Sequence, residues 1–135
     1  MHPQNFNQPR TLEINVISAE NLTIHDRPIK KNAIAYVQTD PSNVVSTKID
    51  KEGGSFPIWN ENFDLKLPMH VRNMVVQVSS NGVLIGSATI PVSDFIGDYT
   101  PVSYLHFLSY RLRDQRGIGN GIVNLSVRVK DDYFM

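Results

Sequence analysis

Apolar and polar residues alternate with a period of two through most of the chain. Leu12, Ile14 and Val16 alternate with Glu13 and Asn15 over residues 11–18, and so short a run with β-branched members predicts a strand. Runs at 33–39 and 44–49 predict two more. From Asn60 to Leu67, Phe63, Leu65 and Leu67 fall on one face, with Asn62, Asp64 and Lys66 on the other. Residues 73–79, with Met74, Val76 and Val78 in register, and 84–90 give the fifth and sixth strands. The longest alternation, 104–113, sets Tyr104, His106, Leu108, Tyr110 and Leu112 against Ser109, Arg111 and Arg113. The last sets Val123, Leu125, Val127 and Val129 against Asn124, Ser126, Arg128 and Lys130.

Turn chemistry punctuates these runs. Asp40-Pro41-Ser42-Asn43 is a turn in which proline fixes φ and the Asp and Asn side chains bond local backbone. Ser80-Asn81-Gly82 predicts a tight hairpin, and Asn120-Gly121, inside Gly117-Ile118-Gly119-Asn120-Gly121, predicts another. That glycine cluster lacks the spacing and the following helix of a phosphate-binding loop. Residues 19–32 are too irregular for an amphipathic helix and read as one long loop. After Ile90 the chain leaves the sheet through Pro91, with a single helical turn capped by Ser93. Between the third and fourth strands, Gly53-Gly54-Ser55-Phe56-Pro57-Ile58-Trp59 makes a corner, where Phe56, Trp59 and Phe63 read as packing residues. Eight short strands without a helix predict an all-β fold, an eight-stranded antiparallel β-sandwich.

A chain of 135 residues accommodates one such domain, expected over 11–130 between disordered tails at 1–10 and 131–135. Thirteen basic residues balance thirteen acidic ones, which argues against the strong phosphate attraction of a dedicated nucleic-acid binder. The absence of cysteine excludes a disulfide scaffold, a thiolate zinc site and a cysteine nucleophile. The polar N-terminus reads as neither a signal peptide nor a membrane span, and His2 excludes myristoylation, so membrane contact is expected to be peripheral. Among the four histidines only His25 adjoins a carboxylate, Asp26, and no nucleophile motif accompanies it, so no catalytic residue is assigned.

The segments Leu12-Glu13-Ile14-Asn15-Val16-Ile17-Ser18-Ala19-Glu20-Asn21-Leu22, Ala35-Tyr36-Val37, Pro57-Ile58-Trp59-Asn60-Glu61-Asn62-Phe63 and Ile85-Gly86-Ser87-Ala88, in this order and spacing, resemble the C2 domain over residues 11–130. The start before the Ala-Glu-Asn-Leu element and the extra strand at the end resemble the type II permutation. Residues 90–95, 104–114 and 120–123, with Lys30-Lys31-Asn32 and Glu52-Gly53-Gly54-Ser55, are similar to small single-C2 plant proteins of the bonzai-associated type. That resemblance implies a non-catalytic binding module with a copine-like protein partner. It also implies cytoplasmic placement, peripheral at the plasma membrane, and negative regulation of plant defence and cell death.

C2 domains commonly hold calcium through loop aspartates, because the ion takes six to eight oxygens. Here Ile34 stands where the family has Asp before Pro-Tyr-Val, and Ser80 and Gly82 stand where it has Asp-x-Asp. Asp26 remains as a weak metal candidate, Asp40 and Asp50 being expected too far away. No cofactor is expected, and calcium-dependent phospholipid binding is the alternative reading. For an anionic membrane the candidate residues are Lys30, Lys31, Lys48, Lys51, Arg111 and Arg113, with Arg116 near the last two and Ile29 as an inserting residue. Ile24, Val83 and Leu84 are further apolar candidates. The alternative for the charges is ordinary solvent exposure balanced by Asp50, Glu52 and Asp114.

Overall fold

The strands predicted from alternation form and fold into two facing leaves. The computed structural model describes residues 10–97, 100–101 and 103–130. The expected tails, apart from Arg10, lie outside the described residues. In chain order the elements are β1 (Arg10–Glu20), β2 (Thr23–Ile24), β3 (Arg27–Pro28), β4 (Ala33–Asp40), β5 (Asn43–Ser46), β6 (Ile58–Leu67), β7 (Asn73–Ser80), β8 (Val83–Pro91), a 3₁₀ turn (Val92–Asp94), β9 (His106–Arg113) and β10 (Gly119–Val129). All but β2 and β3 belong to one antiparallel succession, β5-β4-β7-β8-β9-β10-β1-β6. The β8–β9 link is a single pair, Ser87 with Arg113. The sheet therefore divides there into the leaves β5-β4-β7-β8 and β9-β10-β1-β6.

Period-two alternation turns one face of each leaf inward. Leu12, Ile14 and Val16 of β1, Val37 of β4, Met74, Val76 and Val78 of β7, and Val123, Leu125 and Val127 of β10 share one buried cluster. At about 25 cal/mol per Å² of apolar surface removed from water, this interior drives the fold. Leu12 pairs with Val129, so the first strand lies beside the last. That adjacency is the strand order a type II permutation requires.

Several local expectations are corrected. The segment 19–32 contains the β2–β3 hairpin, whose turn residues His25 and Asp26 both take positive φ, 53° and 62°. The third strand ends at Ser46, because the Thr47 side chain enters the ladder and its Oγ1 accepts the Ala35 N–H at 3.0 Å. The helical turn starts after Pro91 with no side-chain cap. It is fixed instead by the Val92 N–H to the Arg72 carbonyl, 2.9 Å, and by the buried Phe95.

Asn81-Gly82 makes the expected two-residue hairpin, with φ of 50° and 80°. Asn120-Gly121 does not. Asp114 Oδ1 accepts the Arg116 and Ile118 N–H groups, and Gly117, at φ 80°, closes the turn nearer the start of the glycine cluster. Gly121 instead sits at an irregularity inside β10 with φ 83°, where a Cβ would stand 2.4 Å from the Glu20 carbonyl oxygen. Only glycine fits that approach. Phe56, expected in the core, is 52 % exposed, whereas Trp59 and Phe63 pack partly buried against it.

Candidate functional site at one end of the sandwich

β1 ends and β10 begins at the same end of the sandwich, since Glu20 pairs with Ile122. The loops 21–32, 47–57 and 81–82 meet there. Hydrogen bonds run from Leu22 N–H to Ser55 O (3.1 Å), Ala19 N–H to Pro57 O (3.0 Å) and Asn32 N–H to Asp50 O (2.9 Å). The Asn32 side-chain amide donates to Asn81 Oδ1 at 2.8 Å, and Ser80 Oγ donates to Lys31 O at 2.8 Å. Both asparagines adopt positive φ, which their short polar side chains tolerate. The loops are thus braced by the protein's own amides and hydroxyls.

These contacts bring some predicted binding residues together and separate others. Lys30, Lys31 and Lys51 are exposed on neighbouring loops, with Lys48 exposed at the start of the second. Ile29 is corrected: it is 6 % exposed and its N–H bonds Leu22 O at 3.1 Å, so it belongs to the core and cannot insert into a bilayer. Arg111 and Arg113 are exposed on β9, and Arg113 Nη1 donates to Gly117 O at 3.0 Å. Arg116 pairs with Asp114 at 3.2 Å. Arg111 lies opposite Ile122 and Arg113 opposite Gly119, so these arginines stand at the same end of the sandwich but on β9 and the turn after it, outside the three loops. Ile24 and Leu84 are half-buried, and Val83 is exposed.

Three exposed apolar residues near the loop lysines are missed in the sequence, Ile49, Phe56 and Ile58, the last 70 % exposed. Phe56 and Ile58 flank Pro57, and Ile49 precedes Asp50, whose Oδ2 accepts the Ile58 N–H at 2.6 Å. They leave from one short stretch of rim, close to Lys48 and Lys51. Neighbouring basic and apolar side chains at a loop edge suit the boundary between lipid headgroups and acyl chains.

The calcium question turns on the same loops. Asp26 is exposed at the hairpin tip, and the described residues contain no group of three or more His, Cys, Asp or Glu side chains able to hold a metal. Asp40 is at the opposite end, where its Oδ1 caps its own turn through Ser42 N–H and Asn43 Nδ2. Asp50, expected to be distant, lies beside the first loop. Its carboxylate is already occupied: Oδ1 accepts the Glu52 and Gly53 N–H groups at 2.8 and 2.7 Å, and Oδ2 accepts that of Ile58. The Asp50-x-x-Gly53 spacing is the sequence signal for this turn.

Burial opposes the charge on Asp50, yet the Gly53, Ile58 and Glu52 N–H groups outweigh it and lower the carboxyl pKa from 3.8. A depressed folded value means the stabilisation is present above the unfolded pKa and lost as pH falls through the folded one. Acid denaturation should therefore steepen below pH 3.8. Asp50→Asn should remove part of that dependence, and equal acid profiles for parent and variant would refute the assignment.

Trp59 anchors the corner through its indole Nε1–H, which donates to Ala33 O at 3.0 Å. Because the ring is only partly buried, Trp59→Ala should cost about 2–3 kcal/mol, below the range for a fully buried tryptophan. Urea denaturation measures this directly; an unchanged midpoint would show the ring to be dispensable.

The remaining titratable groups are tied into the fold or exposed. His25 and His70 are exposed. His106 packs edge-on to Tyr104, centroids 4.8 Å apart. Tyr110 donates its hydroxyl to Asp94 Oδ2 at 2.6 Å, and burial first, then Asp94, push its pKa well up.

Comparison with known proteins agrees with this architecture. The chain is 44 % identical over 131 residues to BON1-associated protein 2 of Arabidopsis thaliana, covering 91 % of this chain and 63 % of the relative. The chain thus spans under two-thirds of that protein's length. Among solved structures, a C2 domain-containing protein from a putative elicitor-responsive gene superposes with a TM-score of 0.73 at 17 % identity, covering 97 % of this chain and 96 % of the other. A C2 domain of plant Extended Synaptotagmin 1 superposes with a TM-score of 0.70 at 16 % identity, covering 90 % and 94 %. At these identities the superpositions speak for the fold alone. The C2 domain family model matches residues 10–106, most of the sandwich, and with the strand order above it places the chain in the C2 domain family.

Proposed function

We propose that this chain is a non-catalytic docking module that holds a protein partner and settles weakly on anionic membrane without calcium. The observation that carries the membrane part is the loop end. Lys30, Lys31, Lys48 and Lys51 stand near exposed Ile49, Phe56 and Ile58 on loops held together by amide and hydroxyl hydrogen bonds. Each basic residue at an anionic surface contributes about 1 kcal/mol. A patch of four gives salt-sensitive, reversible attachment, in keeping with peripheral placement at the cytoplasmic face of the plasma membrane.

The partner part is supported by the relative whose name records association with BON1. A copine-like partner and a restraining role in plant defence and cell death are the finer part of this proposal; the relative's name supports association with a protein and no more. Co-sedimentation with phosphatidylserine vesicles tests the lipid part, and binding to purified Arabidopsis BON1 protein tests the partner part. Vesicle binding should fall with salt and be indifferent to calcium. Thermal unfolding should likewise show no calcium-specific stabilisation, since a ligand of the folded state raises its melting temperature once it exceeds its dissociation constant. A rise with millimolar calcium, absent with magnesium, would favour the calcium-dependent reading.

A further inference from the structure

The free edge of β9 is unlike the other sheet edges. β5 is a four-residue strand. β6 carries Asp64, paired with Lys130 at 2.8 Å, while Thr39 Oγ1 donates to Lys66 O and Glu61 accepts the Lys48 N–H. Short, charged or capped edges are the usual protection against unwanted strand pairing. β9 pairs with β10 along its length, but on its other side the described residues give it a ladder partner only at Ser87, opposite Arg113, besides the side-chain bond from the Tyr110 hydroxyl to Asp94. The chain entering and forming that edge, Tyr104-Leu105-His106-Phe107-Leu108-Ser109-Tyr110, contains no lysine, arginine, acid, glycine or proline. Phe107, 72 % exposed, is the most exposed large apolar side chain among the described residues, and Tyr104 and Leu105 beside it are exposed too.

We infer that the β9 edge is the surface on which this module takes an extended strand of a protein partner. The inference rests on the adaptor reading above. The open side of an edge strand presents alternating N–H and C=O groups, and the ligand that matches such a row is another extended backbone. Side-chain alternation sets the occupant's pattern. An apolar residue lies beside Phe107, followed two positions on by a small or polar one beside Ser109. Beyond Ser109 the same face carries Arg111 and then Arg113, both exposed, and the described residues give neither arginine an ion pair. The occupant is therefore an apolar strand with Asp or Glu at the end that reaches Arg111. That charge complementarity favours a partner segment over a second copy of this edge, which is itself uncharged over 104–110 and basic beyond.

The test uses the whole chain and a displayed library of random twelve-residue linear peptides as probe. Enriched peptides should alternate apolar residues and carry an acid toward one end. They should bind Phe107→Lys or Arg111→Glu at least about tenfold more weakly than the parent. Neither substitution enters the core, so melting temperature should be unchanged. N-methylation at alternate backbone positions of the peptide should abolish binding in one parity and spare it in the other. Amide exchange should slow over residues 106–110. Failure to enrich any peptide, equal binding by both variants, or protection confined to the loop end would overturn the inference. So would self-association in sedimentation that Phe107→Lys abolishes, since the occupant would then be a second copy. Binding of BON1 protein is scored separately: its failure with peptide capture intact removes the copine-like partner and leaves this edge standing.

Discussion

Asn120→Ala should unfold at a markedly lower denaturant concentration, with a loss of about 3 kcal/mol, a large part of the roughly 5–15 kcal/mol typical of a small domain. Asn120 Oδ1 accepts from both the backbone N–H and the hydroxyl of Thr23, at 3.0 and 2.7 Å. Its Nδ2 donates to the carbonyls of Thr23 and Ile85, at 2.8 and 3.1 Å. One amide therefore clasps β2, β8 and β10. Alanine leaves three backbone groups in a partly buried site without that partner, and each unmet group costs about 1–3 kcal/mol, reduced here by partial access to water. The urea midpoint should fall with an unchanged slope. Asn120→Asp keeps the two acceptor contacts but sets a carboxylate oxygen against the Thr23 and Ile85 carbonyls, so it should also unfold below the parent. An alanine variant with the parental midpoint would show that solvent replaces the clasp at no cost.

The double charge reversal Lys30→Glu with Lys31→Glu should nearly abolish binding to anionic vesicles. It removes two attractions and adds two repulsions, about 4 kcal/mol at about 1 kcal/mol per charge near the surface. Both side chains are exposed and make no ion pair among those described, so stability should change by less than about 0.5 kcal/mol. Salt should weaken the parent in the same direction as the Debye length shrinks from about 10 Å at 0.1 M to about 3 Å at 1 M. Arg111→Glu, on β9 and outside the three loops, should weaken vesicle binding less than the double reversal does. If the double variant binds as the parent does, the lysines of the first loop are not at the membrane.

Legibility of the site differed between its charges and its apolar groups. The exposure of Lys30, Lys31, Lys48 and Lys51 is legible from sequence alone because long charged side chains seldom find a reason to be buried. Ile29 and Phe56 exchange their expected roles. An aliphatic residue next to two lysines looks like a loop tip until its N–H is seen bound to Leu22 O. A phenylalanine next to proline looks like core until the Asp50 turn is seen to hold it outward. Neither contact is written in local pattern.

The sequence by itself determined the eight main strands, their inward faces, the Asn81-Gly82 hairpin and the C2 resemblance. Period-two burial and two-residue turn dihedrals depend on residues adjacent in the chain, and such preferences survive in any tertiary setting that keeps the strand. Only the tertiary structure decided that Asn120-Gly121 is a clasp and not a turn, that Asp50 braces a loop and leaves no carboxylate oxygen bare of backbone N–H groups, and that β9 keeps an open edge. Each depends on which distant strand or loop lies alongside: Thr23 for Asn120, the returning corner at Ile58 for Asp50, and β8 diverging from β9 beyond Ser87. Dihedral preference and hydrophobic period carry no record of those neighbours, because the contacts form only when the two leaves close.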